Sequence, residues 1–401
     1  TAQDGSKAVS DKIGITVKEK EALPKEVIIT NQMTPNKTAL NLELPAIFKA
    51  EGVLAKPIDN YYLYFSYNDE SGGTRSIALA TAPAPEGPWT VYNDGTPVMT
   101  AQSLGVSSSV NAPWPIWDED NGRMLMYYSM GATAIGVAES TDGINFTNIQ
   151  TVFEGSDAPA GTQAYQQSVY AYTVEGQDNK YVMFYTGNGY RSGDGTYTNG
   201  KQIFYAVSDD GLNWTDSGKV LQYPDSGDKG NIASPRLMIR DGEPYVVYHN
   251  SNGNLGYSLL SGDFSTASRQ GRLYDSTDGE PDRGRAADAC FLQEGENLYL
   301  YYTARSNKAK NEEDASLLVC RKLAGGSGQE EILFQDDFND GNADGWEVDS
   351  GTWAVSDGAY VQSAASGGAM TFAGDAAWSN YEVGVKVTPT ETSKSIAVMV
   401  S

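Results

Sequence analysis

Short segments in which apolar and aromatic residues alternate with small or polar ones recur along most of the chain. This period of two predicts half-buried β-strands, and the helical period is almost absent. Five opening strands contain a small or proline-containing step, and each precedes a turn and a tyrosine-rich strand. They are predicted at 44–48, 112–117, 167–170, 234–238 and 287–291.

Each opening strand begins a unit of about 50 to 70 residues, a spacing compatible with four-stranded propeller blades. Outer strands are expected near Trp89, Phe146, Trp214 and Ala267, two of them after Ser-x-Asp-Gly turns. A two-sheet sandwich is the alternative, but it does not explain five matching units. Second strands are predicted at 61–66, 123–129, 180–186, 244–250 and 297–303, and third strands at 75–81, 134–140, 202–208, 254–260 and 316–321.

The fifth unit lacks a fourth strand of its own, and either 13–18 or 27–30 can supply it and close the ring. We therefore predict an all-β fold, a five-bladed β-propeller at 1–323 followed by a partial β-sandwich (jelly-roll) domain at 332–401. A flexible linker is expected at 324–331, where glycine and serine dominate. The order of aromatic and glycine steps in Phe334–Phe338, Gly345–Trp346 and Trp378–Glu382 resembles concanavalin-like (LamG-type) modules, and we expect this module to be truncated at Ser401.

The charge balance narrows the possible partners. Lys and Arg number 28 and Asp and Glu 52, a formal net charge of −24, which repels nucleic acid and anionic membranes. A carbohydrate meets no such barrier, and 25 Tyr and 7 Trp supply flat faces for stacking on sugars. The small polar residues 1–10 resemble the start of an exported protein, so we expect a secreted or cell-surface bacterial protein that is a monomer.

Two cysteines, Cys290 and Cys320, fall on strands separated by a third strand. This arrangement predicts two buried free thiols or one unusual disulfide. The chain has one histidine, too few nitrogen or sulfur ligands for zinc, and no metal ligands are assigned. Oxygen ligands leave a structural calcium ion open, and no other cofactor is expected.

Candidate site residues follow from blade geometry, because the start of a first strand and the end of a second lie at the same rim. We expect a shared pocket there of carboxylate, amide, guanidinium and imidazole groups, with Trp114 and Tyr190 as stacking surfaces. First-strand starts contribute Glu43, Asn111, Gln166 or Gln167, Arg236 and Asp288. Second-strand ends contribute Asn68, Asn188, Tyr190, Arg191, His249, Asn250 and Arg305.

The segments Glu43–Lys49, Tyr61–Ser66, Ala80–Ala82 and Gly87–Thr90 resemble the first blade of glycoside hydrolase family 43 and its five-bladed relatives. The resemblance covers about residues 27–322. It implies inverting hydrolysis, with an Asp base on the first blade, an Asp that adjusts a pKa on the second and a Glu acid on the third. Inversion suits two carboxyl groups about 6.5 to 9.5 Å apart, with a water between the substrate and the base.

This sequence departs from that carboxylate set. Leu44 occupies the base position before Pro45, and the nearest carboxylate is Glu43. Asn111 stands on the second blade, and Gln166 or Gln167 replaces the Glu of the third. Three interpretations stay open. Glu43 acts as base or acid with Asp288, or Gln167 positions the water as in some galactan-cleaving relatives while Glu43 is the acid, or the pocket only binds sugar.

Two further sets of residues have alternative interpretations. His249 ends a tyrosine-rich strand, where it either forms a structural hydrogen bond or acts as an acid near neutral pH. Arg236, with Arg191, Arg285 and Arg305, either grips a carboxylate-bearing sugar or neutralises nearby acidic residues. The resulting prediction is a glycoside hydrolase for polysaccharide or oligosaccharide containing arabinose, xylose or galactose. A non-catalytic glycan-binding propeller is the alternative.

Overall fold

A computed structural model describes residues 15–19, 25–34, 42–68, 74–158, 163–188, 200–217, 221–224, 228–240, 242–274, 281–306, 317–323, 332–363, 368–375 and 381–384. Contacts within the chain divide it into two compact units. One is Pro24–Gly326, and the other combines Thr1–Leu23 with Ser327–Ser401. The predicted linker 324–331 lies outside the described residues.

The larger unit is almost entirely β-structure, and its described part has a single α-helix of four residues, α1 (Ala101–Leu104), which begins with a Thr100 cap. Short 3₁₀ helices at Asn31–Met33 and Tyr92–Gly95 lie between strands. The first strand of the chain, β1 (Ile15–Glu19), belongs to the smaller unit. In chain order the strands of the larger unit are β2 (Glu26–Ile29), β3 (Leu42–Lys49), β4 (Tyr61–Asn68), β5 (Arg75–Ala82), β6 (Thr90–Val91), β7 (Val110–Asp118), β8 (Arg123–Met130), β9 (Ala134–Ser140), β10 (Thr147–Glu154), β11 (Tyr165–Ala171), β12 (Tyr181–Asn188), β13 (Lys201–Ser208), β14 (Thr215–Asp216), β15 (Ile232–Arg240), β16 (Glu243–Asn250), β17 (Leu255–Leu260), β18 (Ala267–Tyr274), β19 (Arg285–Glu294), β20 (Asn297–Arg305) and β21 (Leu317–Leu323).

These strands form five antiparallel four-stranded sheets, which confirms the predicted five-bladed propeller. Blades one to four run in chain order, β3 to β6, β7 to β10, β11 to β14 and β15 to β18, and blade five is β19-β20-β21-β2. The first strands contact one another in a closed ring, because β3 contacts β7 and β19, and β11 and β15 lie between β7 and β19. This inner ring surrounds the propeller axis.

The ring closes with the second of the two predicted N-terminal segments. β2 pairs antiparallel with β21, with Glu26 opposite Cys320 and Val27 opposite Val319. The first segment lies elsewhere, since β1 pairs in the other compact unit, with Val17 opposite Phe334. The predicted propeller limit of 1–323 is therefore wrong at its N-terminal end. The backbone of β1 forms its hydrogen bonds in a sheet of the other unit.

Tyrosines of the second strands connect neighbouring blades. The buried Tyr64 hydroxyl donates to the carbonyl of Gly143 at 2.6 Å, and the Tyr127 hydroxyl donates to that of Gly211 at 2.8 Å. Both glycines belong to the predicted Ser-x-Asp-Gly turns. In the second turn, Oδ1 of Asp210 accepts from the backbone of the two residues that follow the glycine, at 2.8 and 2.7 Å. Buried hydroxyls with partners stabilise the packing of one blade on the next.

Every first strand has a β-bulge near its start, and the same backbone conformation recurs at each. Because one residue is added at the bulge, the alternation of side chains is reset in all five strands. The residues with positive φ are Leu44 (59°), Ala112 (52°), Gln166 (52°), Ser234 (51°) and Asp288 (56°).

The backbone N–H of each bulge residue donates to a side chain on the second strand of the preceding blade. We call these contacts the inner hydrogen-bond ring. Four acceptors are hydroxyls and the fifth is an imidazole, so His249 takes the place of a Ser or Thr. The donor–acceptor pairs are Ala112 to Ser66 (2.9 Å), Gln166 to Ser129 (2.8 Å), Ser234 to Thr186 (3.0 Å), Leu44 to Thr303 (3.2 Å) and Asp288 to Nδ1 of His249 (3.4 Å).

The two cysteines are free and buried, as one of the two predicted outcomes stated. Cys290 and Cys320 both lie opposite Tyr301, which occupies the strand between them. Burial raises the pKa of the Cys290 thiol to about 11 and that of Cys320 to about 12. Both thiols therefore pack as small apolar groups.

The smaller unit is described as three small sheets, β22-β1-β27, β23-β26 and β24-β25. Phe338 and Tyr360 stack with ring centroids 5.3 Å apart, and Trp353 stacks on Tyr360 at 5.1 Å. The resemblance to a concanavalin-like module stays a prediction. The strands are β22 (Ile332–Asp336), β23 (Trp346–Ser350), β24 (Trp353–Ser356), β25 (Ala359–Gln362), β26 (Met370–Ala373) and β27 (Tyr381–Gly384). No helix of the described chain has the length and apolarity to cross a membrane.

Candidate functional site

A cavity of about 420 Å³ opens at the rim where the first strands begin, and all five blades contribute to it. We call it the rim cavity. A second cavity of about 180 Å³ shares three of its residues, Lys201, His249 and Arg285. The rim cavity is lined by Glu43, Arg75, Ser109, Asn111, Gly131, Ala132, Tyr165, Gln166, Lys201, His249 and Arg285. The predicted convergence of Glu43, Asn111, Gln166 and His249 is therefore observed.

Glu43 is the one carboxylate among the described residues that line this cavity. Its Oε2 accepts from the Arg75 guanidinium at 3.0 Å, and its side chain is 9 % exposed. Glu43 comes directly before the bulge at Leu44 and keeps its pairing with Ser66 on the second strand. The bulge therefore explains how Glu43 reaches the cavity although it is one residue earlier than Leu44, the base position before Pro45. A carboxylate in this position has a compensated charge and an open side toward the cavity.

His249 and Asp288 form a buried pair behind the cavity wall. Nδ1 of His249 lies 3.2 Å from Oδ1 of Asp288, which also accepts from the Ser234 hydroxyl at 2.7 Å. The other carboxylate oxygen, Oδ2, accepts from Thr303 at 3.0 Å. Asp288 is 2 % exposed and does not line either cavity, so the predicted direct catalytic role of Asp288 is wrong. Its carboxylate is held by the Ser234 and Thr303 hydroxyls instead.

The surroundings of this pair lower the pKa values of both groups. Burial alone would raise the pKa of Asp288, but His249, Arg285 and the Ser234 hydroxyl outweigh it and hold the pKa well below its ordinary value. Burial lowers the pKa of His249, although Asp288 opposes this. Nδ1 of His249 lies against both the N–H and the carboxylate of Asp288, so Nε2 is the nitrogen left for the cavity.

The two adjacent glutamines have separate roles. Gln166, at the bulge, lines the cavity, and its buried Oε1 has no hydrogen-bond donor within the described chain. Gln167 is fully buried, accepts from the Ser129 hydroxyl at 2.7 Å and donates to the Ala112 carbonyl at 2.7 Å. The prediction that Gln167 positions a water in the pocket is wrong, because its amide joins blades two and three.

Two other predicted substrate-binding residues lie beneath the cavity. Arg236 is completely buried and lies over the Trp114 ring, 4.6 Å from its centroid. Its Nη1 donates to the Pro235 carbonyl at 2.9 Å. The Trp114 indole donates to the Val169 carbonyl at 2.7 Å. Neither residue is available to a sugar. The prediction that they bind substrate is wrong, and both pack along the propeller axis.

Of the remaining predicted residues, Asn250 lines the smaller cavity and donates to Asp228 at 3.2 Å. Arg305 is 4 % exposed and lies opposite Arg285 in the sheet, outside the lining of both cavities. Tyr190 and Arg191 lie outside the described residues.

Six of the lining residues were not predicted from the sequence, and three of these, Arg75, Tyr165 and Lys201, carry ionisable side chains. Arg75 and Lys201 begin third strands, β5 and β13, and the start of a third strand shares a rim with the start of a first. The same rule applied to third strands would have found both. Tyr165 begins β11, and burial raises its pKa to about 12. The described residues contain no cluster of three or more His, Cys, Asp or Glu side chains suited to a metal ion.

Comparison with known proteins gives structural neighbours only. No family model matches the sequence, and no curated protein matches it. A GH43_1 enzyme from Xanthomonas citri, solved with xylose, has a TM-score of 0.52 at 15 % identity, over 75 % of this chain and 91 % of that one. The catalytic domain of a GH62 α-L-arabinofuranosidase from Coprinopsis cinerea has a TM-score of 0.56 at 9 % identity, over 77 % and 98 %.

An α-L-arabinofuranosidase from Lactobacillus brevis gives a similar result, with a TM-score of 0.52 at 14 % identity, over 73 % of this chain and 94 % of the other. The chain has the fold of the five-bladed glycoside hydrolases. Identities this low establish the shared fold and leave the activity to the chemistry of the rim cavity.

Proposed function

We propose that the chain is a glycoside hydrolase whose active site is the rim cavity, with Glu43 as its catalytic carboxylate. The observation that carries this proposal is that Glu43 and His249 line one cavity, to which all five blades contribute. Structural neighbours with this fold are glycoside hydrolases. A concave site with a few converging polar groups suits an oligosaccharide.

The two cavity groups have complementary chemistry. Glu43, whose charge Arg75 compensates, acts as the base and removes a proton from the attacking water. The oxygen of that water bonds to the anomeric carbon as the glycosidic C–O bond breaks. Protonated His249 gives its Nε2 proton to the departing oxygen, while its Nδ1–H donates to Asp288. Asp288 is a positioning residue that orients the ring, and attack from the opposite side inverts the anomeric carbon.

Arabinose-, xylose- or galactose-containing polysaccharides are the proposed substrates, in agreement with the sequence resemblance. The proposed setting is the bacterial exterior, and the proposed active form is a monomer. A net charge of −24 keeps the molecule away from nucleic acid and anionic lipid.

The test is hydrolysis of arabinan, xylan, galactan and nitrophenyl glycosides by the wild type, Glu43→Gln and Glu294→Gln. Glu294 forms a surface ion pair with Lys49 at 2.8 Å and serves as the matched control. Loss of about 10²-fold or more in kcat is expected for Glu43→Gln alone, with an unchanged urea midpoint. Full activity of a folded Glu43→Gln protein would remove Glu43 from the mechanism.

A non-catalytic glycan-binding propeller is the second candidate. The observation that favours it is the enclosure of Asp288, which leaves Glu43 as the one described carboxylate in the cavity. Binding of a glycan in calorimetry without release of reducing sugar would identify this function.

A further inference from the structure

The rim cavity of this acidic protein is lined by more cationic than anionic side chains. Three cationic side chains, Arg75, Lys201 and Arg285, line it together with the carboxylate of Glu43. Arg75 is paired with Glu43, so the other two cations exceed the negative charge of the described lining. The chain as a whole carries −24, which makes this local excess opposite in sign to the molecule.

Lys201 and Arg285 have no ion-pair partner within the part of the chain that the structure describes. The Lys201 ammonium lies over the ring of Tyr165, 5.4 Å from its centroid. Nε of Arg285 is buried and has no acceptor among the described residues. A buried guanidinium N–H without an acceptor costs free energy, and a bound anion would satisfy it.

Burial also disfavours the charge on Lys201. Desolvation lowers its pKa, and Arg285 and Arg75 contribute in the same direction, whereas Asp288 and Glu43 oppose them. Keeping these side chains positively charged therefore costs free energy in the absence of a ligand. A negatively charged ligand group would compensate them.

The geometry points to a substrate that bears a carboxylate, a glycan containing uronic acid, whose carboxylate binds between Lys201 and Arg285. This inference rests on the proposed function in one respect, since it takes the rim cavity as the sugar site. A guanidinium matches a planar carboxylate with two parallel hydrogen bonds. Glu43 in the lining of the same cavity disfavours a dianion such as a phosphate ester.

The test compares two ligands by calorimetry on the wild-type chain. One is a galacturonate trisaccharide, and the other is the same trisaccharide with its carboxylates reduced to hydroxymethyl groups. We expect the acidic ligand to bind at least about tenfold more tightly, since hydrogen bonds between charged groups are stronger than neutral ones. Its affinity should fall as NaCl rises from 50 to 500 mM, while that of the neutral ligand should not.

Variants locate the binding group. Lys201→Gln should reduce affinity for the acidic trisaccharide about tenfold and leave the neutral one unchanged, and Lys201→Arg should retain most of the affinity. Lys49→Gln, at a surface ion pair outside the cavity, is the matched control. Equal affinity of wild type for both trisaccharides overturns the inference, whether or not Lys201→Gln folds.

The two proposals fail in different ways. Hydrolysis of neutral arabinan with no preference for acidic ligands would keep the hydrolase and remove the uronate site. Binding of the acidic trisaccharide without hydrolysis of any glycan would keep the uronate site and remove the hydrolase. Tighter binding of a sulfated galactan than of the galacturonate would also overturn the carboxylate assignment.

Discussion

Nδ1 of His249 accepts the backbone N–H of Asp288 at 3.4 Å, in the position where the four other blades use a Ser or Thr hydroxyl. The contact belongs to the inner hydrogen-bond ring and also places the imidazole at the rim cavity. His249 therefore combines a structural contact, found in every blade, with a chemical group found in one.

Replacing His249 separates the two roles. His249→Thr restores the hydroxyl of the other blades, and we expect its unfolding free energy to stay within about 1 kcal/mol of wild type. His249→Ala leaves the Asp288 N–H without its acceptor and should cost about 1–3 kcal/mol. Both should lose hydrolysis about 10²-fold or more. Urea unfolding and kcat measured on both variants check this, and an active His249→Thr enzyme would exclude the imidazole as the acid.

The pH dependence of hydrolysis follows from the same histidine. Burial lowers its pKa below the ordinary value of about 6.5, so the acidic, protonated form is scarce at neutral pH and grows as the pH falls. We expect kcat to rise from pH 7.5 toward pH 5. A rate that is highest above pH 8 would be incompatible with His249 as the proton donor.

Gln166 and Gln167 should respond in opposite ways to substitution. Gln166→Gly removes a cavity side chain at a φ of 52°, which glycine adopts readily, so folding should be retained while KM changes. Gln167→Leu leaves the Ser129 O–H without its acceptor and the Ala112 carbonyl without the amide donor, and should cost about 1–3 kcal/mol in unfolding free energy. Denaturant curves and KM for the two variants form the test. Equal stability of both would contradict it.

Gly143 is required by the contact between blades one and two. An added β-carbon would lie 2.7 Å from the Tyr64 hydroxyl, which donates to the Gly143 carbonyl. Gly176 has a similar φ, 76° against 73°, and nothing within 4 Å, so Gly176→Ala measures the backbone cost alone, about 1 kcal/mol. We expect Gly143→Ala to cost about 1–2 kcal/mol more by urea unfolding. Equal costs would show that Tyr64 adjusts freely.

The turn at Asp210 should make stability depend on acid pH. Burial opposes its charge, but the amides of Asn213 and Leu212 and the Ser208 hydroxyl outweigh it and lower the pKa of Asp210 to about 2. A depressed carboxyl pKa contributes stability above the unfolded value of about 4, which is lost as the pH falls toward 2.

Asp210→Asn keeps an acceptor oxygen but removes this titration. We expect its unfolding free energy to fall less than that of wild type between pH 4 and pH 2. Asp209→Asn, one residue earlier and exposed, is the control and should follow wild type. Identical slopes for Asp210→Asn and wild type would refute the assignment.

Much of the fold was determined by local sequence. The nearly continuous apolar and tyrosine-rich run in strands such as Tyr61–Asn68 marks a strand buried on both faces, and the Ser-x-Asp-Gly turns form hydrogen bonds within five residues. Five such units predict five sheets because each sheet must bury both faces against a neighbour. The sequence left two segments that could close the ring. The pairing of Glu26–Ile29 with a strand far along the chain shows which of them does so.

Only the tertiary structure decided which side chains reach the cavity. The sequence placed Glu43, Gln167, Arg236 and Asp288 at one rim, but alternation along a strand assumes a regular register. Each first strand contains a bulge, and at this equivalent position Gln166 lines the cavity whereas Asp288 is buried in its wall. A bulge is fixed by hydrogen bonds to the neighbouring blade, such as that from Asp288 to His249, and such contacts between residues far apart in sequence leave no local pattern.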